Sequence, residues 1–326
     1  MTIRQRGIGA IASLLAGLQM TVGACPATAA PVEAVTEHAA VRVPLASKAP
    51  LVGVAGAGQQ VVAVGDYGVV LRSVNGQDWK QATRVPVDTM LTAACFIDAN
   101  TGWAVGHAGT ILRTTDGGVN WERQYQVDKA PVLLSVSCLA ANDVIAVGAY
   151  GHAVLTHDGG KTWQALQIGQ GRDAELHLNA VVAGKPGTII AAAEGGTAFR
   201  STDGGASWTR STTGASGSLW GGLRLRDGRV LLFGMSGRIM SSTDDGQSWQ
   251  SIPSGTHESL TGGTQLDDGR IVIVGNGGVV TVSPEAALAF VAIVRPDRQN
   301  LAAVAGGKKG TVLVFGQLGR GEQRIE

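Results

Sequence analysis

The sequence predicts an all-β fold, a seven-bladed β-propeller of four-stranded antiparallel blades. Three observations predict it: a phrase that returns seven times, four short β-runs inside each repeat, and 48 glycines to turn between them. The phrase is an apolar run ending in G-x-x-G. It reads VVAVGDYG at 61–68, WAVGHAG at 103–109, VIAVGAYG at 144–151, LLFGMSG at 231–237 and IVIVGNGG at 271–278. Looser copies are IIAAAEGG at 189–196 and VLVFGQLG at 312–319. The turns begin at 65, 106, 148, 193, 234, 275 and 316, so the steps are 41 to 45 residues. That is the length of a propeller blade and too long for one coil of a β-solenoid.

The second repeat shows the four runs: LTAACFID, GWAVGHA, TILRTTD and NWERQYQV. Valine, isoleucine, threonine and tryptophan alternate in them with a period of two, and turn residues separate them. The seventh repeat stops after three runs. The strand-like segment 37–47, EHAAVRVPLAS, is expected to supply its outermost strand and so cover an open edge.

The N-terminus carries Arg4 and Arg6, an uncharged apolar stretch over 7–24, and Ala27-Thr28-Ala29 as a small-x-small cleavage site. This predicts a secretory signal peptide over 1–29, a linker over 30–36 and the propeller over 37–326. Val22-Gly23-Ala24-Cys25 offers an alternative, an imperfect lipobox that would anchor the protein by lipid at Cys25. Either outcome predicts work outside the cytoplasm, in the periplasm, by a monomer. A net charge of +1 argues against nucleic acid as a partner. Cys95 and Cys138 occupy nearly matching places in consecutive repeats. Equal places would point both thiols the same way, but their offset of one residue flips a strand face. A disulfide and two buried thiols both remain open.

A second phrase, [S/T]-x-D-x-G-x-x-W, falls between the third and fourth runs. Its copies are Thr114, Asp116, Gly118 and Trp121; Thr156, Asp158, Gly160 and Trp163; Ser201, Asp203, Gly205 and Trp208; and Ser242, Asp244, Gly246 and Trp249. A damaged copy, RSVNGQDW, spans 72–79. The aspartate can accept backbone N–H groups in an Asx-type turn, the glycine supplies positive φ, and the tryptophan buries its ring. One carboxylate and one hydroxyl per loop are too few oxygens for calcium. The phrase reads as a structural clasp, and no motif requires a metal or cofactor.

These residues resemble the Asp-box, or bacterial neuraminidase repeat. The longer phrase GWAVGHAGTILRTTDGGVNWE resembles the photosystem II assembly/stability factor family, over roughly residues 37–326. The resemblance implies a seven-bladed propeller that assists assembly of a membrane protein complex without catalysis. It also implies an arginine-rich patch facing the client. Relatives in non-photosynthetic bacteria include accessory subunits of resistance–nodulation–division export transporters, which is the alternative client class.

Candidate partner-binding residues follow from position. The middle residues of the G-x-x-G turns should crowd the mouth of the central channel, including Asp66, Tyr67, His107, Tyr150 and Glu194. Arg172 lies in the longest inter-blade loop, residues 167–177. Arg200, Arg224, Arg226 and Arg238 supply cations in blades four and five, and Arg224 and Arg226 are expected to point to one side. A sialidase-like glycosidase is the enzyme alternative, with two carboxylates at the channel mouth such as Asp66 and Glu194. It lacks the arginine triad and the tyrosine nucleophile that such enzymes need. No small-molecule substrate is expected.

Overall fold

The computed structural model describes residues 38–125, 131–284 and 288–326. The expected leader, the linker and Cys25 lie outside the described residues. Seven antiparallel sheets succeed one another along the chain, six of four strands and the last of three. Within each blade, neighbours in the sheet are neighbours in sequence, so hairpins make every connection.

The inner strands are Leu51–Ala57, Leu91–Phe96, Leu133–Cys138, Leu178–Ala183, Leu219–Arg224, Leu260–Gln265 and Leu301–Gly306. All seven open on a buried leucine. The residue opposite that leucine begins the G-x-x-G turn, as in Leu91 against Gly106 and Leu260 against Gly275. Gly106 has φ −176°, extended backbone open to any residue. A Cβ there would nonetheless sit 2.2 Å from Met90 O, which already accepts a bond from His107 N. Close approach therefore selects glycine. Blade four is the exception: Ala193 has φ −135°, and the Glu194 carboxylate takes the His177 N–H at 3.0 Å.

Packing between blades holds the ring. Five of the seven second strands, Gly102–Gly106 and Val230–Gly234 among them, are buried at every residue. Alternate residues face opposite neighbours, as strand geometry requires. Val62 and Val64 pack with Leu91, Ala104 and Trp121 of blade two, whereas Ala63 packs with Leu313 and Phe315 of blade seven. Near the axis, polar side chains tie several inner strands to the next. Thr92 Oγ1 donates to Leu133 O at 2.6 Å, Asn179 Nδ2 to Leu219 O at 3.0 Å, and Thr261 Oγ1 to Leu301 O at 2.7 Å.

Closure differs from expectation. Residues 38–47 add no strand to blade seven, which has three among the described residues, and Glu37 lies outside them. The segment follows the outer edge of blade one instead. Ala40 N donates to Val85 O, Val43 N to Gln81 Oε1, and Gln81 Nε2 to Val41 O. These bonds to Val85 and Gln81 hold the segment at blade one, away from the edge of blade seven. A single 3-10 turn at Ala46–Lys48 then backs onto Gly319 before the chain enters the first inner strand.

A disulfide joins Cys95 and Cys138 with Cα atoms 5.8 Å apart, linking the inner strands of blades two and three. Cys95 lies four residues past its strand-opening leucine and Cys138 five past its own, and that offset lets the thiols meet. Replacing both cysteines by serine is expected to lower the free energy of unfolding by about 3–4 kcal/mol, from loss of a long covalent loop. Paired urea titrations of the two proteins measure it.

Candidate functional site

Hairpin connections place alternate loops on opposite faces of the ring. The G-x-x-G turns and the inter-blade connections share one face, and the Asp-box loops occupy the other. The candidate residues therefore divide. Asp66, Tyr67, His107, Tyr150, Arg172, Glu194 and Arg238 lie on the turn face. Arg200, Arg224 and Arg226 lie toward the Asp-box face, so the ten do not form one patch.

The Asp-boxes are clasps whose polar atoms bond within their own loops. In blade two, Thr114 Oγ1 donates to Asp116 Oδ1 at 2.9 Å and accepts Gly118 N at 2.9 Å. Asp116 then accepts Asn120 N and Asn120 Nδ2, while Trp121 Nε1 donates to Gly118 O. Thr156 with Asp158, Ser201 with Asp203 and Ser242 with Asp244 repeat the first bonds. The damaged copy keeps the arrangement with Asn75 as acceptor for Asp78 N and Trp79 Nε1 on Gly76 O. Trp249 departs, donating to Ser211 Oγ of blade four, and the buried Trp163 Nε1 has no partner. Hydrogen bonds from the Ser207 hydroxyl, then its backbone and Ser201, hold Asp203 down at about 2.

Two arginines of the third strands, Arg200 and Arg72, are inter-blade ties, and Arg113 packs within its own blade. Arg200 Nε donates to Asp245 O of the next box at 2.8 Å. Arg72 packs against Gly118 of the next box; burial lowers its pKa and Asp116 opposes that. Arg113 lies over the Trp103 ring, 5.6 Å from its centroid. Arg224 and Arg226 diverge, contrary to expectation. The strand ends at Arg224, whose Nη1 meets Asp245 Oδ1 at 3.3 Å. Arg226 lies beyond it in the turn and reaches Asp267 of blade six at 3.1 Å.

On the turn face, one group of side chains converges between blades three and four. The Tyr150 and His177 rings meet edge to face, centroids 4.7 Å apart, and Glu194 holds the His177 backbone. A bidentate bridge from Arg210 Nη1 to Asp173, at 2.6 and 2.7 Å, pins the loop that carries Arg172 and His177. Sequence reasoning singled out neither His177 nor Asp173. The unusual length of loop 167–177 was the available signal.

Tyr67, Ala108, Tyr150 and Ser236 occupy the same turn position with φ of 53–55°. Blades four and six place Gly195 and Gly277 there. A left-handed non-glycine residue costs about 1–3 kcal/mol. Tyr67 and Tyr150 are each 69% exposed despite that cost. Between these turns opens the central channel, about 560 Å³, walled mainly by glycine, alanine and valine with Thr92, Ser135, Asn179 and Trp220. No carboxylate, histidine, lysine or arginine lines it. Asp66 and Glu194 stand three blades apart around it, and Asp66 Oδ1 accepts Tyr67 N.

A family model described as photosynthesis system II assembly factor YCF48 matches residues 71–307. The chain belongs to this family. A structure of YCF48 bound to D1 peptide aligns at 19% identity and TM-score 0.68, over 88% of this chain and 96% of that one. YCF48 from Cyanidioschyzon merolae gives 18% identity and 0.65, over 87% and 97%. The WD40 β-propeller domain of Doa1 gives 14% and 0.66, over 88% and 95%. At these identities the structural likenesses establish the fold alone. No curated protein matches the chain.

Two expectations follow. Because the Asp203 pKa is depressed in the folded state, its clasp stabilises the protein above the ordinary carboxylate value of 3.8 and loses effect as pH falls through about 2. Urea midpoints of the native protein and Asp203→Asn should differ above pH 4 and converge toward pH 2. Separately, Tyr67→Gly should raise stability by about 1 kcal/mol by relieving the left-handed backbone; thermal unfolding of the two proteins reads the sign.

Proposed function

We propose that the protein is a non-catalytic scaffold that holds a segment of a membrane or envelope protein complex during its assembly. The leader-like residues 1–29 favour export, so the scaffold would act in the periplasm. Membership of an assembly-factor family across residues 71–307 carries the reading. A relative bound to D1 peptide supports a protein segment as the ligand class. The channel favours it as well, since its wall offers small and apolar side chains with no group suited to acid–base chemistry.

Affinity capture with the tagged full-length protein from detergent-solubilised membranes tests this. One integral membrane complex should be enriched over a tagged control. Recovery of soluble proteins alone would overturn the reading. So would turnover of a sialoside or polysaccharide that disappears in Asp66→Ala or Glu194→Ala.

A further inference from the structure

Among the described residues, blade seven ends in a strand with an unpaired edge, and a groove lies beside it where the other blades carry a fourth strand. Its third strand, Gly319–Arg324, pairs with Thr311–Gly316. Ile325 N donates to Gly310 O along the same ladder. The inward peptide groups are therefore those of 319, 321, 323 and 325. By antiparallel alternation, the N–H and C=O of Arg320, Glu322 and Arg324 point outward. Among the described residues no strand pairs with that edge. Side chains touch only its carbonyls: Arg295 Nη1 donates to Glu322 O at 3.0 Å and Gln323 Nε2 to Arg324 O at 2.6 Å.

Elsewhere the chain at the fourth strand leans on the Asp-box of the next blade. Thr83 N donates to Val119 O and Arg84 O accepts Trp121 N. Gln124 Nε2 donates to Gly159 O, and Ser211 Oγ to Gly246 O. The box of blade one, residues 75–79, should receive the fourth strand of blade seven in the same way. A groove of about 810 Å³ opens there instead. Its wall carries Arg42, Arg72, Lys80 and Arg320 against the single acid Asp78, with Trp79 as an apolar floor. Arg320 lies over the Trp79 ring at 5.8 Å, and its buried Nε has no hydrogen-bond partner.

We propose that this groove is a strand-addition site. An extended segment of a partner protein, alternating acidic and apolar side chains, becomes the fourth strand of blade seven. Its backbone pairs with the outward groups of Arg320, Glu322 and Arg324, its carboxylates meet the four cations, and its apolar side chains cover Trp79. Residues 40–43 are excluded as occupant, because Val85 and Gln81 already hold them at blade one. The inference rests on the reading of the protein as a holder of protein segments and gives that segment a place and a binding mode.

The probe is a synthetic nonapeptide alternating glutamate with valine and threonine, titrated into the full-length protein. Amide exchange at Arg320, Glu322 and Arg324 should be fast in the free protein and slow at least tenfold at saturation. Arg320→Glu should weaken binding at least tenfold, while Lys161→Ala, an exposed position in blade three, leaves it unchanged. Of two peptides N-methylated along opposite edges, one should fail and the other bind. Equal binding of both would overturn strand addition, and so would absence of binding by the unmethylated peptide. Slow exchange at the three amides before peptide is added would also overturn it, because a segment of this chain preceding residue 38 would then hold the edge. If the peptide fails while membrane capture survives Arg320→Glu, this inference falls and the scaffold reading stands.

Discussion

Every blade of this protein has a second strand that is apolar on both faces, and that constraint organises the rest. A lone sheet of this kind can cover neither face. Each blade therefore needs two neighbours, and only a closed ring supplies two to all of them. Val62 and Val64 turn to blade two while Ala63 turns to blade seven, so one strand belongs to two cores. Glycine at the start of the G-x-x-G turn serves the same end. It lets the carbonyl before each inner leucine come close enough for the hairpin to sit flush.

With the ring fixed from within, the loops divide into two kinds. On one face the Asp-box repeats the same bonds in four blades, and its carboxylates are held by their own serines, threonines and backbone amides. Those groups are committed to shape. On the other face the turn backbone is constant while its side chains vary from glycine to tyrosine. Tyr67 and Tyr150 keep a left-handed backbone and still expose their rings. Variation on a constant backbone is how a propeller acquires a recognition surface without disturbing its core.

The fold was legible because its signal is periodic. Seven copies of an apolar run with a glycine turn leave little freedom in blade count or strand number. The site was less legible, because it depends on which neighbour a side chain meets. Arg200 reads as a free cation in sequence, yet its neighbour forty-five residues on, the Asp245 carbonyl, absorbs it. Arg224 and Arg226 have strand spacing, but the strand stops at Arg224 and the turn sends them to different blades. The disulfide hinged on an offset of one residue. The segment 37–47 alternates apolar positions as a strand does, yet the Gln81 side chain and the Val85 carbonyl hold its described part, 38–47, at blade one.

That last difference shows what the fourth strands contribute. Lys80–Gln81, Gln164–Ala165 and Gln250–Ile252 are short and mostly exposed, so little of the apolar burial resides in them. Among the described residues, the boundary between blades seven and one closes without one. Ala46, Leu51, Leu71, Leu313 and Phe315 form its core, and Trp79 meets Phe315 edge to face at 5.7 Å. A blade lacking its outer strand therefore still completes the ring, at the cost of an open backbone edge. Where natural sheets usually blunt such an edge with charge, this one carries Arg320, Glu322 and Arg324 along it. Those charges discourage pairing with a second copy of the same edge and leave it open to a strand of the opposite pattern.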